Sequence, residues 1–334
     1  MRAWQIETDG GIDALKLATR DTGDPGPGQV KIRCRASSIN FRDLSTIKDP
    51  VSRGFPFPRI PNSDVAGEIV AVGNGVTDFA AGDRVASCFF QQWQDGPCTQ
   101  TAMDSALGGA IDGVLCEDVI LSANGIVRVP DHLSFDEAAT LPCAALTAWN
   151  ALAVAGSSKA GETVLLLGTG GVSIFALQFA KVMGLRAIVT SSSDEKLERA
   201  RELGAWETIN YRQTPDWQSE ALALTGGRGV DLTVEVGGAG TLPRSIQATR
   251  VAGTIALIGV LTGGEINPAL IMRKSIKLQG IYVGSRRMFQ DMTAAISAHQ
   301  LHPVIDKTVP FEDAKAAYHA MDSAGHFGKI VIQI

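Results

Sequence analysis

The glycine cluster at residues 168–171 is the feature of this chain that most directly indicates chemistry. It follows an apolar run, residues 163–167, and precedes residues 172–183, whose apolar side chains recur at helical spacing. A strand, a tight glycine turn and a helix start form a site for a dinucleotide pyrophosphate, because backbone N–H groups and the positive end of the helix dipole face the phosphates. Ser173 replaces the usual Gly or Ala and is small enough for close packing. The residues expected to line this turn are Gly168, Thr169, Gly170, Gly171 and Val172.

Strand and helix patterns alternate after this turn and predict the sheet that carries it. We predict strands at residues 187–191, 207–210, 231–236 and 254–258. Helices are expected from about Asp194 and near Trp217. Apolar strands that alternate with helices indicate a doubly wound parallel sheet.

The regions on either side of these units follow a different pattern. Residues 1–126 show short strands separated by Gly and Pro turns, which is typical of a compact β-barrel-like domain. Toward the C-terminus we predict helices at 288–299 and 311–321 and a last strand at 329–334, which is expected to rejoin the first domain. A chain of 334 residues is too long for one typical core, so two domains are expected.

Composition limits the class of protein and of partner. The chain is 45% hydrophobic and 19% charged, as in a well-buried globular protein, and its net charge of −5 argues against nucleic acid as a partner. No apolar run reaches the about 18 to 20 residues that span a bilayer, and the first residues read as a strand rather than a signal peptide. Five scattered cysteines suggest reduced thiols, so we expect a cytoplasmic protein that binds neither membrane nor nucleic acid.

Recognisable motifs are spread along nearly the whole chain. They are residues 38–43 (SINFRD), 60–73 (IPNSDVAGEIVAVG), 82–85 (GDRV), 138–149 (AATLPCAALTAW), 235–238 (EVGG) and 325–332 (GHFGKIVI). Their order and spacing resemble the medium-chain dehydrogenase/reductase superfamily, in its zinc-independent, quinone-oxidoreductase-like branch. The resemblance implies an α/β fold, with a GroES-like β-barrel catalytic domain, a Rossmann doubly wound parallel-sheet domain and an active site between them. It also implies hydride transfer with a nicotinamide cofactor.

The domain boundaries follow from this pattern. We assign residues 1–126 and 272–334 to the GroES-like domain and residues 127–271 to the Rossmann domain. The resemblance also suggests a homodimer, in which strands near 254–258 and 276–281 pair across the subunits.

The positions that bind catalytic zinc in the zinc-dependent relatives are largely replaced. They read Asn40, Ser63 and Cys143, and an amide and a hydroxyl are poor substitutes for thiolate and imidazole. None of the five histidines lies in the first 131 residues, and the other cysteines lack the spacing of a structural zinc lobe. We therefore predict no metal. Cys143 is then either a small buried residue or a thiol that shapes the nicotinamide pocket.

The end of the second strand of the sheet predicts which nicotinamide binds. Folds that use NAD usually end this strand with a carboxylate, which binds the ribose 2′-hydroxyl, whereas here Ser191 and Ser192 follow the strand. In NADP-using relatives a Ser, a Lys and a Tyr at these places surround the 2′-phosphate, and Lys196 and Tyr211 match them. We predict NADP(H). The alternative is purely structural: Ser192 with Glu195 fits a helix capping box and Asp194 fits a first helical turn.

Further cofactor contacts are carried over by resemblance alone. They are Thr147 near the nicotinamide ring, Val236 and Gly237 under the adenosine ribose, Ile258, Gly259 and Val260 past the nicotinamide ribose, Ile281, Tyr282 and Val283 beside the carboxamide, and Lys329 in the C-terminal segment. For each of them, ordinary packing of a helix or strand end is the alternative.

The substrate is predicted from what the site lacks. Without a metal nothing strong polarises a carbonyl, so quinones and alkenes conjugated to a carbonyl fit better than an unactivated ketone. Asn40 is the first candidate donor to the developing oxyanion. Arg42 contacts substrate or phosphate, or forms a salt bridge with Asp43, and Asp64 is expected to bond locally.

The partner is expected to be a small hydrophobic or aromatic carbonyl compound or quinone. Phe89, Phe90 and Trp93 are candidates for a wall that binds it, or for plain loop packing. Two other functions stay open: a metal-free alcohol dehydrogenase or carbonyl reductase, and an NADPH-binding protein without turnover.

Overall fold

The computed structural model describes all 334 residues, which form two compact units. The first comprises Met1–Leu146 and Gly284–Ile334, and the second comprises Thr147–Val283. Residues 127–146 therefore pack with the first unit and residues 272–283 with the second. The functional domain boundaries drawn from the sequence stay a prediction.

The N-terminal part of the first unit consists mainly of strands, of which Gln29–Ser38 and Asp64–Val72 are the longest. Its strands are β1 (Arg2–Gln5), β2 (Lys16–Thr19), β3 (Gln29–Ser38), β4 (Asp64–Val72), β5 (Arg84–Ser87), β6 (Asp118–Ser122) and β7 (Ile126–Arg128). Its helices are α1 (Phe41–Lys48), α2 (Gln100–Met103) and α3 (Phe135–Ala138). Alternation along β3 buries Val30, Ile32 and Cys34 in the core of this unit.

The second unit alternates strands and helices. It is entered through a helical segment in which π turns, Leu141–Ala145 and Asn150–Ala155, flank α4 (Leu146–Trp149). The elements that follow are β8 (Thr163–Leu167), α5 (Gly171–Val182), β9 (Arg186–Ser191), α6 (Asp194–Glu202), β10 (Glu207–Asn210), α7 (Trp217–Leu224), β11 (Val230–Glu235), α8 (Leu242–Ala248), β12 (Thr249–Leu257), α9 (Pro268–Arg273) and β13 (Lys277–Gly280).

The chain then returns to the first unit. The returning elements are α10 (Arg286–His299), β14 (Ile305–Pro310), α11 (Ala314–Asp322) and β15 (Lys329–Gln333). Strand β15 pairs antiparallel with β3, with Val331 opposite Ser38, which confirms that the last strand rejoins the first region of the chain. The helix predicted at 311–321 begins with a 3₁₀ turn, Phe311–Asp313, and only then becomes α-helical.

Each unit has its own sheet. In the first unit the order is β14-β15-β3-β4-β5-β7, with β6 also on β3. In the second the order is β10-β9-β8-β11-β12-β13, and every pairing is parallel, so the predicted doubly wound sheet is confirmed. Strand β12 begins at Thr249 rather than 254, and its register with β11 shifts after Val230. No helix has the length and apolar character needed to cross a membrane.

Candidate functional site

The glycine turn joins β8 to α5 as the motif predicts. Gly168 has a φ of +74°, which suits glycine, and a Cβ there would meet no atom within 4 Å, so the side of the turn is open. Helix α5 begins at Gly171 after Gly170, and no side chain caps it, so its first amides are free to meet an anion. Ser173 donates its hydroxyl to Leu167 O at 2.7 Å, which ties the helix to the strand end. These features fit a dinucleotide pyrophosphate.

The four residues predicted to surround a 2′-phosphate gather at the carboxyl ends of β9 and β10. Ser191 lies opposite Asn210 in the parallel ladder, and Tyr211 donates its backbone N–H to Ser191 O at 3.0 Å. The chain continues through Ser192 into α6, whose first turn carries Lys196. Tyr211 is 41% exposed.

The start of α6 corrects one structural alternative. Ser193, not Ser192, is the residue that caps this helix, because its hydroxyl accepts the backbone N–H of Lys196 at 3.3 Å. The capping box expected from Ser192 and Glu195 is therefore wrong. The N-cap lies one residue later, and the third residue of the helix is Lys196. Asp194 turns toward the loop after β10, where Asn210 and Gln213 donate amide hydrogens to its carboxylate at 2.7 and 2.8 Å.

Glu235 is a residue to which the sequence analysis assigned no role. Its carboxylate is fully buried at the end of β11 and accepts the backbone N–H groups of Gly237 and Gly238 at 2.7 and 3.1 Å. The hydroxyls of Thr241 and Ser245 also donate to it. Glu235 thus fixes the loop that contains the predicted contacts Val236 and Gly237. A carboxylate at the end of an apolar strand, followed by two glycines, was the available signal.

The ends of β11 and β12 lie unusually close together. A Cβ on Gly259 would lie 1.8 Å from Val236 O, so only glycine allows this approach. The backbone N–H groups of Ile258 and Gly259 both donate to Glu235 O, at 2.9 and 3.1 Å. Val260, the next residue, is 81% exposed. The predicted contacts 236–237 and 258–260 are therefore neighbours.

Residues 281–283 follow β13 and are hydrogen-bonded at their first and last residues to other segments of the second unit. Ile281 donates its N–H to Leu257 O at 2.9 Å. Val283 has a φ of +56°, a conformation that costs a branched residue about 1 to 3 kcal/mol. Asn150 donates its side-chain amide to Val283 O at 2.8 Å and so stabilises this turn. Thr147, one helical turn before Asn150, is buried.

In the first unit, five side chains, all but that of Arg42 buried, form a group that we call the Asn40 cluster. Its members are Asn40, Arg42, Asp43, Asp64 and Lys329. Strand pairing explains why they meet: Asn40 follows the end of β3, Asp64 opens β4 opposite Ser38, and Lys329 opens β15 beside the same end of β3.

Lys329 is the cation at the centre of this cluster. Its side chain is only 2% exposed, and its ammonium donates to Ile39 O at 2.8 Å and to Asn40 Oδ1 at 2.6 Å. The Asp64 carboxylate lies 3.9 Å away. These bonds all lie within the first unit, and the cofactor contact predicted for Lys329 stays a prediction.

Asp64 bonds locally, as expected. It accepts hydroxyl hydrogens from Ser63 at 2.6 Å and from Ser38 at 3.2 Å. Burial raises the pKa of Asp64, the positive charge of Lys329 opposes that shift, and the charge of Asp43 adds to it. The Lys329 cation therefore offsets part of the cost of burying the Asp64 carboxylate.

Arg42 forms the salt bridge that was the alternative to a substrate contact. Its guanidinium donates to Asp43 Oδ1 at 3.1 Å and lies over the ring of Phe89, 4.6 Å from the ring centre. Phe89, Phe90 and Trp93 are themselves buried and pack edge to face. These aromatic side chains pack on one another within the first unit.

Cys143 lies in the π turn before α4, and the charges of the Asn40 cluster affect the pKa of its thiol. Burial raises the pKa of its thiol, and the negative charge of Asp64 raises it further. The thiol is therefore protonated at neutral pH and is a poor nucleophile.

The donor set does not fit a zinc ion. No group of three or more His, Cys, Asp or Glu side chains is arranged to hold a metal. Ser63 directs its hydroxyl to Asp64, and the oxygen of Asn40 already binds the Lys329 ammonium. The Lys329 ammonium thus lies beside the Asn40 and Asp64 oxygens, which a metal ion would need as ligands.

Comparison with known families covers both units. Residues 26–131 match the family model described as an alcohol dehydrogenase GroES-like domain, and residues 171–298 match the one described as a zinc-binding dehydrogenase.

Curated relatives match almost the full length. A zinc-type alcohol dehydrogenase-like protein of Schizosaccharomyces pombe is 46% identical over 97% of this chain and 96% of its own length. A 2-haloacrylate reductase of a Burkholderia species is 31% identical over 98% of this chain and 97% of its own. The quinone oxidoreductase of Rattus norvegicus is 29% identical over 99% and 97%.

Solved structures agree with these relatives. A putative alcohol dehydrogenase of Sinorhizobium meliloti 1021 superposes with a TM-score of 0.92 at 42% identity, covering 100% of this chain and 98% of that one. A mycobacterial protein complexed with NADPH superposes with a TM-score of 0.84 at 26% identity and full coverage of both chains. The chain is therefore an oxidoreductase that belongs to the medium-chain dehydrogenase/reductase superfamily, in its quinone-oxidoreductase-like branch.

Proposed function

We propose that this protein transfers a hydride from NADPH to a quinone or to an alkene conjugated to a carbonyl, without a metal ion. The observation that carries the proposal is the Asn40 cluster, where an amide bound to a lysine takes the place of zinc ligands. A site without a Lewis acid favours acceptors that are already electrophilic. The 2-haloacrylate reductase and quinone oxidoreductase relatives bear names of this kind.

The second unit would bind the cofactor, which supplies the hydride. The turn at 168–172 would hold the pyrophosphate with backbone amides, and residues 236–237, 258–260 and 281–283 would follow the riboses and carboxamide. Thr147 would pack near the ring. In the first unit the Asn40 amide would donate to the oxygen that gains negative charge, and the neutral Cys143 thiol would shape the pocket. Arg42 would hold Asp43 in place.

The preference for NADPH rests on the corner at Ser191, Ser192, Lys196 and Tyr211. The chain carries a lysine, two serines and a tyrosine at this corner, and the Asp194 carboxylate accepts two amides at the end of β10 and in the loop after it. A 2′-phosphate would thus meet no unpaired negative charge from Asp194. The mycobacterial structure with NADPH supports the same preference.

A second candidate is an alcohol dehydrogenase or carbonyl reductase. The names of the relatives from Schizosaccharomyces pombe and Sinorhizobium meliloti favour it. It differs from the first candidate in the acceptor, because an aldehyde or simple ketone needs more activation than a quinone.

One steady-state assay separates the two. NADPH oxidation is followed with 1,4-naphthoquinone, with 4-phenylbut-3-en-2-one and with benzaldehyde, each also with NADH. We expect turnover of the quinone or the enone, with at least about tenfold higher kcat/KM for NADPH than for NADH. Turnover of benzaldehyde alone would reject the proposal in favour of the second candidate.

A homodimer and a cytoplasmic location complete the proposal. Strand β13 is the free edge of its sheet and three of its four residues are exposed, so pairing with a second copy would cover it. All five cysteines are unpaired, which suits a reducing compartment. Light scattering should give twice the chain mass of 35.2 kDa, and a single chain mass would reject the dimer.

A further inference from the structure

We propose that Lys329 is a positioning residue whose task is to fix which end of the Asn40 amide faces the reacting oxygen. The inference rests on the proposed function, in which Asn40 is the donor. It assigns to Lys329 a role in the first unit in place of the cofactor contact that the sequence suggested.

The need for such a residue follows from the chemistry of an amide. The two ends of the Asn side chain have nearly the same shape, but Nδ2 donates two hydrogens and Oδ1 only accepts. An oxygen that gains negative charge during hydride transfer is stabilised by the first end and repelled by the second. Rotation of the Asn40 amide by half a turn would therefore replace a favourable contact with an unfavourable one.

Lys329 decides this orientation because an ammonium can only donate. Its Nζ lies 2.6 Å from Asn40 Oδ1, so the carbonyl end of the amide must face it and the NH₂ end must point away. The ammonium cannot easily leave, since it also donates to Ile39 O at 2.8 Å and its side chain is 2% exposed. The Asp64 carboxylate, 3.9 Å from Nζ, stabilises the positive charge of the ammonium.

Asp43 favours the same orientation from the opposite side. One oxygen of Asp43 accepts the backbone N–H of Asn40 at 2.9 Å and lies 3.4 Å from Nδ2, while Arg42 holds its other oxygen at 3.1 Å. A rotated amide would bring Oδ1 toward this carboxylate and Nδ2 toward the ammonium, so both contacts would become repulsive. The Asn40 side chain also makes a hydrogen bond that lowers the pKa of Asp64, so two carboxylates lie on the NH₂ side of the amide.

The first test is a double-mutant cycle on Asn40 and Lys329. NADPH and 1,4-naphthoquinone are the probes, and the variants are Lys329→Met, Asn40→Ala and their combination. We expect each single variant to lower kcat roughly tenfold or more, and the combination to match Asn40→Ala within about twofold, because Lys329 acts through Asn40. Multiplied losses in the combination would overturn the proposal.

The second test measures the cofactor directly. Fluorescence titration should give the same NADPH Kd for Lys329→Met and the unaltered protein, within about twofold. A rise of about tenfold or more would assign Lys329 to the cofactor and reject the positioning role. If Lys329→Met fails to fold because Asp64 loses its cation, Lys329→Met with Asp64→Asn removes both charges and takes its place in both tests.

A third measurement needs no turnover. Protein labelled with ¹⁵N in asparagine gives side-chain amide signals, and the signal absent from Asn40→Ala identifies Asn40. We expect Lys329→Met to shift this signal and leave that of Asn267 unchanged; an unmoved Asn40 signal would contradict the proposal. If Asn40→Ala leaves kcat intact, the donor role in the proposed function fails, while the amide signal still decides what Lys329 does.

Discussion

The carboxyl end of the parallel sheet and the Asn40 cluster are built in opposite ways. At the sheet end, the turn after β8 and the loop after β11 present backbone groups, and the corner after β9 adds side chains from residues near one another in the chain. In the Asn40 cluster, side chains from separate strand ends neutralise one another, and Lys329 and Asn40 are 289 residues apart. The first region is suited to hold a large, charged molecule, whereas the second is suited to orient a single donor.

The difference shows which kind of substitution should disrupt each region. Backbone sites depend on conformations that few residues adopt, so they fail through changes of shape. A buried group of charges is stable only when positive and negative charges neutralise each other, so removal of one partner destabilises it.

Gly168→Val should abolish tight NADPH binding. Valine is strained at a φ of +74° and its side chain would enter the space beside the turn, so we expect Kd to rise at least about a hundredfold. Gly227→Val is the matched control, because Gly227 also has positive φ and open space but precedes β11 at the other end of the sheet. Equal loss of NADPH affinity in both variants, measured by fluorescence titration, would show that strain alone is responsible.

Asp231→Asn should destabilise the second unit without changing its cofactor preference. Burial raises the pKa of Asp231, but hydrogen bonds from Arg228, Thr163 N–H and Arg250 outweigh this and lower it to about 2. Its stabilisation is therefore present above about pH 4 and is lost as the pH falls toward about 2. We expect the variant to lose about 2 kcal/mol at pH 7, reduced by screening of the exposed Arg228, in urea unfolding.

The same measurement gives the outcome that would contradict this account. The unaltered protein should lose stability between about pH 4 and pH 2 more steeply than Asp231→Asn. Parallel curves would mean that Asp231 has an ordinary pKa. Asp64 contrasts with it, since burial raises the pKa of Asp64.

Lys196→Met should weaken NADPH binding and spare NADH. Loss of one cation beside a 2′-phosphate typically costs about 1.4 kcal/mol, so the NADPH Kd should rise about tenfold. Lys181→Met, near the far end of α5, is the control and should change neither value. A parallel rise for both cofactors would place Lys196 elsewhere than at the 2′-phosphate.

Ser193→Ala should have the smallest effect. Removal of the hydroxyl that caps α6 should cost about 1 kcal/mol of unfolding free energy. Ser192→Ala, in which the expected but incorrect cap is removed, should cost close to nothing. The reverse order in thermal unfolding would restore the capping box read from the sequence.

The sequence predicts the sheet end better than the Asn40 cluster, for a physical reason. Backbone sites are encoded by local patterns, so the glycine turn, the strand ends and the gathering of Ser191 with Tyr211 follow from residues near one another. Side-chain partners depend on the pairing of β3 with β15, which no local pattern specifies. That is why the bonds of Lys329 to Ile39 and Asn40 could not be read from the sequence.

Burial is the other property that local patterns leave open. Phe89, Phe90 and Trp93 read equally well as a wall or as packing, and their burial and the contact of Arg42 with Phe89 become visible only in the folded structure. The role of Glu235 likewise depends on the backbone N–H groups of Gly237 and Gly238, which donate to its carboxylate. Both cases require tertiary contacts.

The central claim is that reduction by NADPH proceeds at this site without zinc. Its most direct test is to measure 1,4-naphthoquinone-dependent NADPH oxidation and zinc content on the same sample, before and after treatment with a chelator. We predict unchanged turnover when zinc falls below about 0.1 atom per chain, far less than a catalytic site needs. Turnover that disappears with the zinc and returns when zinc is added would contradict the account.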